Sequence, residues 1–252
     1  MTSARIHRAT RHPSVTSAAL LMRYYDTLRA HYGDLHWWPG QTPLEILVGA
    51  VLTQNTAWVN VEKAIVNLKN AGLLPEAVAA TPAATAAAQE AALRALHALR
   101  PRDLAPLIRP AGYFNLKAQR LWNLLDFLQA RCGGRLEALA AIPTPELRTA
   151  LLGVKGVGPE TADAILLYAL ERPVFVIDAY THRVWKRHGL APATADYADL
   201  QTLAQTNLPP DRPLFNDYHA QLVIVGKDFC KPSPRCHGCP LEGLLPKGGP
   251  RL

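Results

Sequence analysis

The apolar positions of the chain recur mostly at the three- and four-residue spacing of amphipathic helices. A segment from Ser17 and one from Asn115 are examples, and in the second Lys117 and Arg120 are predicted to face outward. The predicted buried positions are Leu20, Leu21, Tyr24, Tyr25 and Leu28 in the first segment, and Leu121, Leu124, Leu125 and Leu128 in the second. The one β-like run, residues 174–177, is too short to form a sheet alone. The pattern therefore predicts an all-α protein without internal repeats.

Proline and glycine mark several predicted helix ends. Residues 42–45, Thr-Pro-Leu-Glu, predict a helix start, because Thr can cap the helix, Pro suits its first position and Glu can complete a capping box. Thr144-Pro145 predicts another start, and Gly153 the end of that helix. Residues 77–99 are rich in Ala and contain Pro82, which predicts a short helix, a break and a second helix.

Composition narrows the class of protein. Of the 252 residues 49% are apolar, which is typical of a folded chain with a sizeable core. No apolar run reaches the ~18–20 residues of a membrane-spanning helix. Residues 1–15 lack the apolar stretch of a secretory signal and are predicted to be a flexible basic arm. The formal net charge of +7 favours a polyanionic partner.

A glycine-rich turn, Gly-Val-Lys-Gly-Val-Gly at residues 153–158, separates two predicted helices. Glycines permit a tight turn with positive φ, and Pro159 can open the second helix. The bare backbone N–H groups of such a turn can bind a DNA phosphate, aided by the helix dipole. An ordinary corner between two helices is the alternative interpretation.

Asp178 follows four apolar residues and precedes a predicted helix. Aspartate is a preferred N-cap, so a structural role is one interpretation. A carboxylate at a helix start beside an apolar wall can also serve catalysis, and the two roles are compatible.

Taken together, these segments resemble the helix-hairpin-helix (HhH-GPD) DNA glycosylase superfamily, and within it the endonuclease III branch. The resemblance rests on the hairpin with Asp178 twenty residues after Gly158, on Thr-Gln-Asn-Thr at residues 53–56, and on a Cys-rich tail, and it extends from about Trp37 to Leu245. It implies a two-lobed all-α fold with DNA in the cleft between the lobes. Residues 36–172 would form a six-helix lobe with the hairpin, and residues 16–35 plus 173–252 a terminal lobe with the Cys-rich loop. The expected partner is double-stranded DNA with a damaged base, bound by a monomer in the cytoplasm, near the nucleoid and away from membranes.

The resemblance also assigns roles to single residues. Asp178 would be the catalytic carboxylate, stabilising positive charge on the sugar and activating water. Gln54 would fill the gap left by the flipped nucleotide, with Asn55 also in contact with DNA. The hairpin contacts to DNA would come from Gly153, Lys155, Gly156 and Gly158.

Glu160 stands where bifunctional members of the family carry a lysine that forms a Schiff base. A carboxylate cannot form one, so a monofunctional glycosylase that leaves an abasic site is expected. Trp37-Trp38-Pro39 and residues 112–118 further resemble the endonuclease-III-like 3-methyladenine DNA glycosylases. The resemblance implies a substrate pocket of Glu160, Trp37, Trp38 and Trp58, in which indole faces attract a cationic alkylated purine.

Two other functions stay open. The first is a glycosylase for oxidised pyrimidines or mismatched uracil or thymine, with or without lyase activity. The second is a non-catalytic protein that binds DNA structures through the hairpin.

Three of the four cysteines, Cys230, Cys236 and Cys239, lie within ten residues, which indicates metal binding in a reducing compartment. The tail resembles the endonuclease III loop that holds a 4Fe–4S cluster through four thiolates, and this cluster is the expected cofactor. Leu245 stands where the fourth Cys is expected. The open alternatives are a fourth ligand from His237, Asp228 or solvent, a three-iron cluster, a zinc site, or no metal. Cys132 is predicted to be a lone structural thiol.

Overall fold

The computed structural model describes residues 15–35, 37, 40–76 and 78–251, with only the backbone at residues 15 and 16. Within these ranges the chain forms eleven α-helices and no strand, which confirms the all-α prediction. No described helix is long and apolar enough to cross a membrane. The helices are α1 (Val15–Tyr32), α2 (Pro43–Leu52), α3 (Trp58–Asn70), α4 (Pro82–Ala98), α5 (Pro101–Leu104), α6 (Phe114–Cys132), α7 (Thr144–Leu152), α8 (Pro159–Ala164), α9 (Ala179–Arg187), α10 (Tyr197–Asn207) and α11 (Arg212–Asp228).

The chain divides into two compact units. The hairpin unit comprises residues 36–176 and 211–216, and therefore holds α2 to α8 and the first turn of α11. The terminal unit comprises the described residues within 1–35, 177–210 and 217–252. Residues 1–14, which make up almost all of the predicted basic arm, lie outside the described residues.

Helix α2 begins as its sequence predicts. The Thr42 side chain caps the helix by accepting a hydrogen bond from the Glu45 backbone N–H at 3.2 Å, and Pro43 occupies the first turn. The Glu45 carboxylate pairs with Lys69 of α3 at 2.9 Å, so it links two helices. The predicted inward face is buried at Leu44, Leu47, Val48, Val51 and Leu52.

The prediction of two helices within residues 77–99 is wrong for the described residues. Residues 78–81 are not helical, and α4 begins at Pro82. The Thr81 side chain accepts from the Ala84 backbone N–H at 3.1 Å, so Thr-Pro starts the helix here just as it does at α2. Helix α7 spans Thr144–Leu152 and ends at Gly153, as predicted.

The helix that opens at Pro159 changes its geometry after six residues. Helix α8 ends at Ala164, and Ile165–Ala169 continue as a π-helix. Glu171 follows with a left-handed φ of 54°. Residues 174–177 are buried, but they form no strand. The apolar pattern indicated the burial of this region and not its π-helical geometry, because burial on all sides leaves little periodicity to interpret.

In the terminal unit, polar contacts join α1 to distant parts of the chain. The buried Tyr218 of α11 donates to the Leu21 carbonyl at 2.9 Å. Tyr24 donates to the Leu244 carbonyl at 2.8 Å. These bonds hold the N-terminal helix against α11 and the C-terminal segment, so residues far apart in sequence share one core.

Candidate active site and nucleic-acid interface

The hairpin turn connects α7 to α8 with a conformation that requires glycine at position 156. Gly156 has a φ of 100°, which L side chains rarely adopt. A Cβ there would also lie 2.3 Å from Cγ of Arg120. Val154 and Val157 are buried, whereas Lys155 is exposed. The turn is therefore anchored by its valines and presents its lysine to solvent.

Two polar contacts fix the hairpin. Arg148 of α7 forms a bidentate ion pair with Asp163 of α8, at 2.6 and 2.9 Å, and the Asp163 side chain is fully buried. Asn123 of α6 donates to the Lys155 carbonyl at 2.8 Å. A turn held in this way keeps its outward groups in a fixed arrangement, as phosphate binding requires.

The loop after α2, residues 53–56, contacts the hairpin through Gln54. Its amide nitrogen donates to the Gly156 carbonyl at 3.0 Å and to the Thr161 hydroxyl at 2.9 Å. Its carbonyl oxygen accepts from Arg120 Nη1 at 2.6 Å. The neighbouring Asn55 is exposed, with a left-handed φ of 53°. The structure thus brings Gln54 to the hairpin, and its gap-filling role stays a prediction.

Lys117 faces inward, so the prediction that it faces solvent is wrong. Only 1% of the residue is exposed. Its ammonium donates to the carbonyls of Leu52, at 2.8 Å, and of Ala111, at 2.7 Å. Burial, with the nearby charge of Arg120, lowers the pKa of Lys117 to about 8. These two hydrogen bonds tie the end of α2 to the turn before α6.

The same turn presents an aromatic residue to which the sequence motifs assign no role of its own. Tyr113 is 72% exposed and has a left-handed φ of 46° immediately before α6. An exposed aromatic side chain on such a backbone is uncommon and marks a candidate contact residue. The available signal was Gly112 followed by two aromatic residues at a helix start.

Asp178 caps a helix and is also a largely buried carboxylate. Its Oδ1 accepts from the Thr181 backbone N–H at 2.7 Å, which caps α9. Its Oδ2 lies 3.7 Å from Nε2 of His219 on α11, and the two side chains are 12% and 7% exposed. Burial lowers the pKa of His219, although the Asp178 charge acts in the opposite direction. Burial therefore favours the neutral form of the His219 ring beside Asp178. The sequence did not indicate His219, because α11 meets α9 only in the fold.

A cavity of about 270 Å³ lies in the hairpin unit, and Trp37 is one of its walls. Its other lining residues are Gly40, Gln41, Thr42, Pro43, Ile46, Tyr168, Ala169, Glu171, Arg212 and Asn216. Trp58 and Glu160 do not line it. Trp58 donates to Glu62 on its own helix at 2.9 Å, and Glu160 is exposed in the first turn of α8. Trp38 lies outside the described residues. Of the predicted pocket residues that the structure describes, only Trp37 lines this cavity.

The cysteine tail is anchored by arginines of α9. Arg183 donates to the Cys230 carbonyl, and Arg187 donates to the Cys230 sulfur at 3.4 Å. Burial and the neighbouring thiols of Cys236 and Cys230 raise the pKa of Cys239. Among the residues that the structure describes, no three His, Cys, Asp or Glu side chains are arranged to hold a metal ion. His237 is fully exposed and lies 3.8 Å from Glu242. The 4Fe–4S cofactor of the Cys-rich tail stays a prediction.

Comparison with known proteins gives consistent similarities. The model of the family described as HhH-GPD superfamily base excision DNA repair protein matches residues 48–210. The chain is 41% identical over 224 residues to the protein named "Putative DNA repair glycosylase MJ1434" of Methanocaldococcus jannaschii, which covers 88% of this chain and 94% of that protein. The solved structure of the H. pylori 3-methyladenine DNA glycosylase MagIII bound to 1,N6-ethenoadenine is 29% identical with a TM-score of 0.69, and covers 84% of this chain and 97% of that one. A non-covalent endonuclease III–DNA complex has the same fold, with 21% identity, a TM-score of 0.70, and coverage of 92% and 96%.

Proposed function

Because the chain belongs to the HhH-GPD superfamily of base excision DNA repair proteins, we propose that this DNA glycosylase is monofunctional and removes alkylated purines such as 3-methyladenine. DNA is its partner, and the damaged base is the substrate. The single observation that carries the monofunctional assignment is the carboxylate at position 160, in the first turn of α8 beside the hairpin. A carboxylate cannot supply the amine that Schiff-base chemistry needs.

Neither of the other lysines near the hairpin replaces that amine. Lys117 has the lowered pKa typical of a nucleophilic lysine, but its nitrogen is buried and bonded to two backbone carbonyls. Lys155 is exposed at the turn, where a cation meets phosphate. Water is therefore the nucleophile, and the product is an abasic site.

Asp178 supplies the charge that the reaction requires. As the N-glycosidic bond breaks, positive charge develops on the sugar, and a nearby carboxylate stabilises it. The oxygen of a water molecule then forms a bond to the sugar carbon, and Asp178 accepts the proton of that water. A 3-alkylated adenine leaves as a neutral base because it carries a positive charge before the bond breaks. The reaction needs no general acid to protonate it.

The alkylated-purine assignment is supported by Trp37 in the cavity wall and by the similarity to MagIII, which is a 3-methyladenine DNA glycosylase. The cation–π attraction between an indole face and a cationic base is worth roughly 0.5–2 kcal/mol, and a neutral base lacks it. Such a preference discriminates the alkylated base from the large excess of normal bases, together with its weakened glycosidic bond.

The test is the identity of the released base. Purified protein is incubated with duplex DNA treated with a methylating agent and with a duplex that carries thymine glycol, and free bases are separated by chromatography. We expect release of 3-methyladenine and none of the oxidised pyrimidine. Release of the oxidised pyrimidine alone would assign the protein to the pyrimidine branch, and binding to both duplexes without release would indicate a DNA-structure binder.

A further inference from the structure

One face of α6 bonds to three separate segments of the hairpin unit. Lys117, Arg120 and Asn123 are three residues apart, so their side chains follow one another along the helix. Lys117 donates a hydrogen bond to the last carbonyl of α2, and Arg120 donates one to the Gln54 side chain. Asn123 donates one to the Lys155 carbonyl. The helix thereby fixes the 53–56 loop and the hairpin turn to a common support.

Gln54 is the direct link between the two segments. Both hydrogens of its amide are donated to the hairpin, to Gly156 and Thr161, and its oxygen accepts from the guanidinium of Arg120. Bonds to a charged partner are stronger than neutral ones. For Gln54 to leave this position and enter DNA, all three must break. Breaking three such bonds together reduces the population of the released side chain by about a hundredfold.

We propose that Gln54 is a positioning residue, which joins the 53–56 loop to the hairpin so that both meet DNA as one rigid surface, and that it is not the group that enters the base stack. The residue that enters the base stack is instead Asn55, which is exposed in the same loop and has a left-handed backbone conformation. This inference rests on the proposed function, since it concerns how a glycosylase inserts a side chain. It reassigns the gap-filling role that the resemblance implies for Gln54.

The partners of Gln54 distinguish the two roles. If Gln54 itself inserts, then removal of Arg120 or Thr161 frees it, and insertion is unchanged or stronger. If Gln54 is the link, then removal of either partner has the same effect as the loss of Gln54. Gln54→Met keeps the length of the side chain without its hydrogen bonds, and Thr161→Val keeps the shape of Thr161. Thr149→Val is the matched control, because the Thr149 hydroxyl donates within its own helix α7, to the Pro145 carbonyl.

The experiment measures insertion with 2-aminopurine next to a tetrahydrofuran abasic site in a duplex, with the affinity for an undamaged duplex and the melting temperature measured in parallel. We expect Gln54→Met and Thr161→Val each to reduce the equilibrium constant for insertion about tenfold, and the double variant no further. The affinity of these variants for the undamaged duplex stays within about twofold of the wild-type value. Thr149→Val keeps the wild-type insertion constant and affinity within the same limits, and its melting temperature is unchanged. Asn55→Ala abolishes the fluorescence change in an otherwise intact loop.

The inference is overturned if Thr161→Val inserts as well as the wild type while Gln54→Met does not. Should Thr161→Val fail to fold, Arg120→Gln, on a half-buried side chain, replaces it with the same expectation. A wild-type protein that binds the duplex without any fluorescence change would overturn the insertion step itself, and with it the proposed function. The two failures are therefore distinguishable.

Discussion

Asp178 performs a capping role that asparagine can also fill, which makes it possible to separate catalysis from folding. Asp178→Asn keeps the acceptor for the Thr181 N–H and removes the charge. We expect base excision to fall at least about a hundredfold, because charge stabilisation is lost, while DNA binding and the melting temperature change little. Asp196→Asn is the control: Asp196 caps α10 in the same way, at 2.9 Å from the Asp199 N–H. If Asp178→Asn were as active as Asp196→Asn, Asp178 would have no catalytic role.

His219 links the activity to pH. Its lowered pKa means that it gains a proton only below its ordinary value of 6.5. The protonated ring would place a cation 3.7 Å from Asp178 Oδ2 and weaken the carboxylate as a stabiliser of positive charge. We expect kcat to fall as pH drops below 6.5, and the midpoint of this fall to shift to lower pH in His219→Gln. An unchanged pH profile in the variant would exclude His219 from the reaction.

Lys117 links stability to alkaline pH. Its pKa is about 8 in the folded protein, against 10.5 for an ordinary lysine, so between these values the unfolded chain binds more protons. The free energy of unfolding contributed by Lys117 therefore rises with pH from about 8 to about 10.5. In urea titrations, the free energy of unfolding of the wild type minus that of Lys117→Met should increase over this pH range. A constant difference would indicate that Lys117 keeps an ordinary pKa.

The sequence identifies residues whose role depends on local context, and it misses those whose role depends on the fold. Asp178 is visible because an apolar run ends there and a helix begins. Lys117 was predicted to face solvent, because a charged residue on an amphipathic helix usually does, and two buried carbonyls that need a donor are visible only in the structure. His219 reaches Asp178 from another helix, so no local pattern could indicate it.

At the scale of elements, the hairpin should act as a phosphate contact of fixed geometry. Lys155 is the exposed cation of the turn. We expect Lys155→Ala to weaken binding to all duplexes to a similar degree, and to reduce the slope of log K against log salt by about one. A loss confined to damaged duplexes would place Lys155 in lesion recognition instead.

Helix starts were predictable where threonine or glycine precedes proline, since both signals act within one turn. The Thr-Pro starts of α2 and α4 and the Gly-Pro start of α8 follow this rule. The π-helix at residues 165–169 was not predictable, because every position there is buried and no polar face marks the change of geometry. The first turn of α11 belongs to the hairpin unit because it packs there, and the sequence of the turn does not indicate this.

At the scale of the whole molecule, family membership fixes the fold and the class of reaction, whereas single residues decide the outcome of that reaction. The net charge of +7 suits a DNA-binding protein, but it would suit a non-catalytic binder equally well. Position 160 separates a hydrolytic enzyme from one that also cleaves the strand. What remains in the DNA after the base has left therefore distinguishes these two kinds of enzyme.

The most direct measurement is strand cleavage of a methylated, end-labelled duplex with and without alkali, with borohydride added to trap any Schiff base. We predict breaks only after alkali and no covalent protein–DNA adduct. Breaks without alkali, together with a trapped adduct, would contradict the account, because they would show that another amine performs the chemistry that Glu160 cannot.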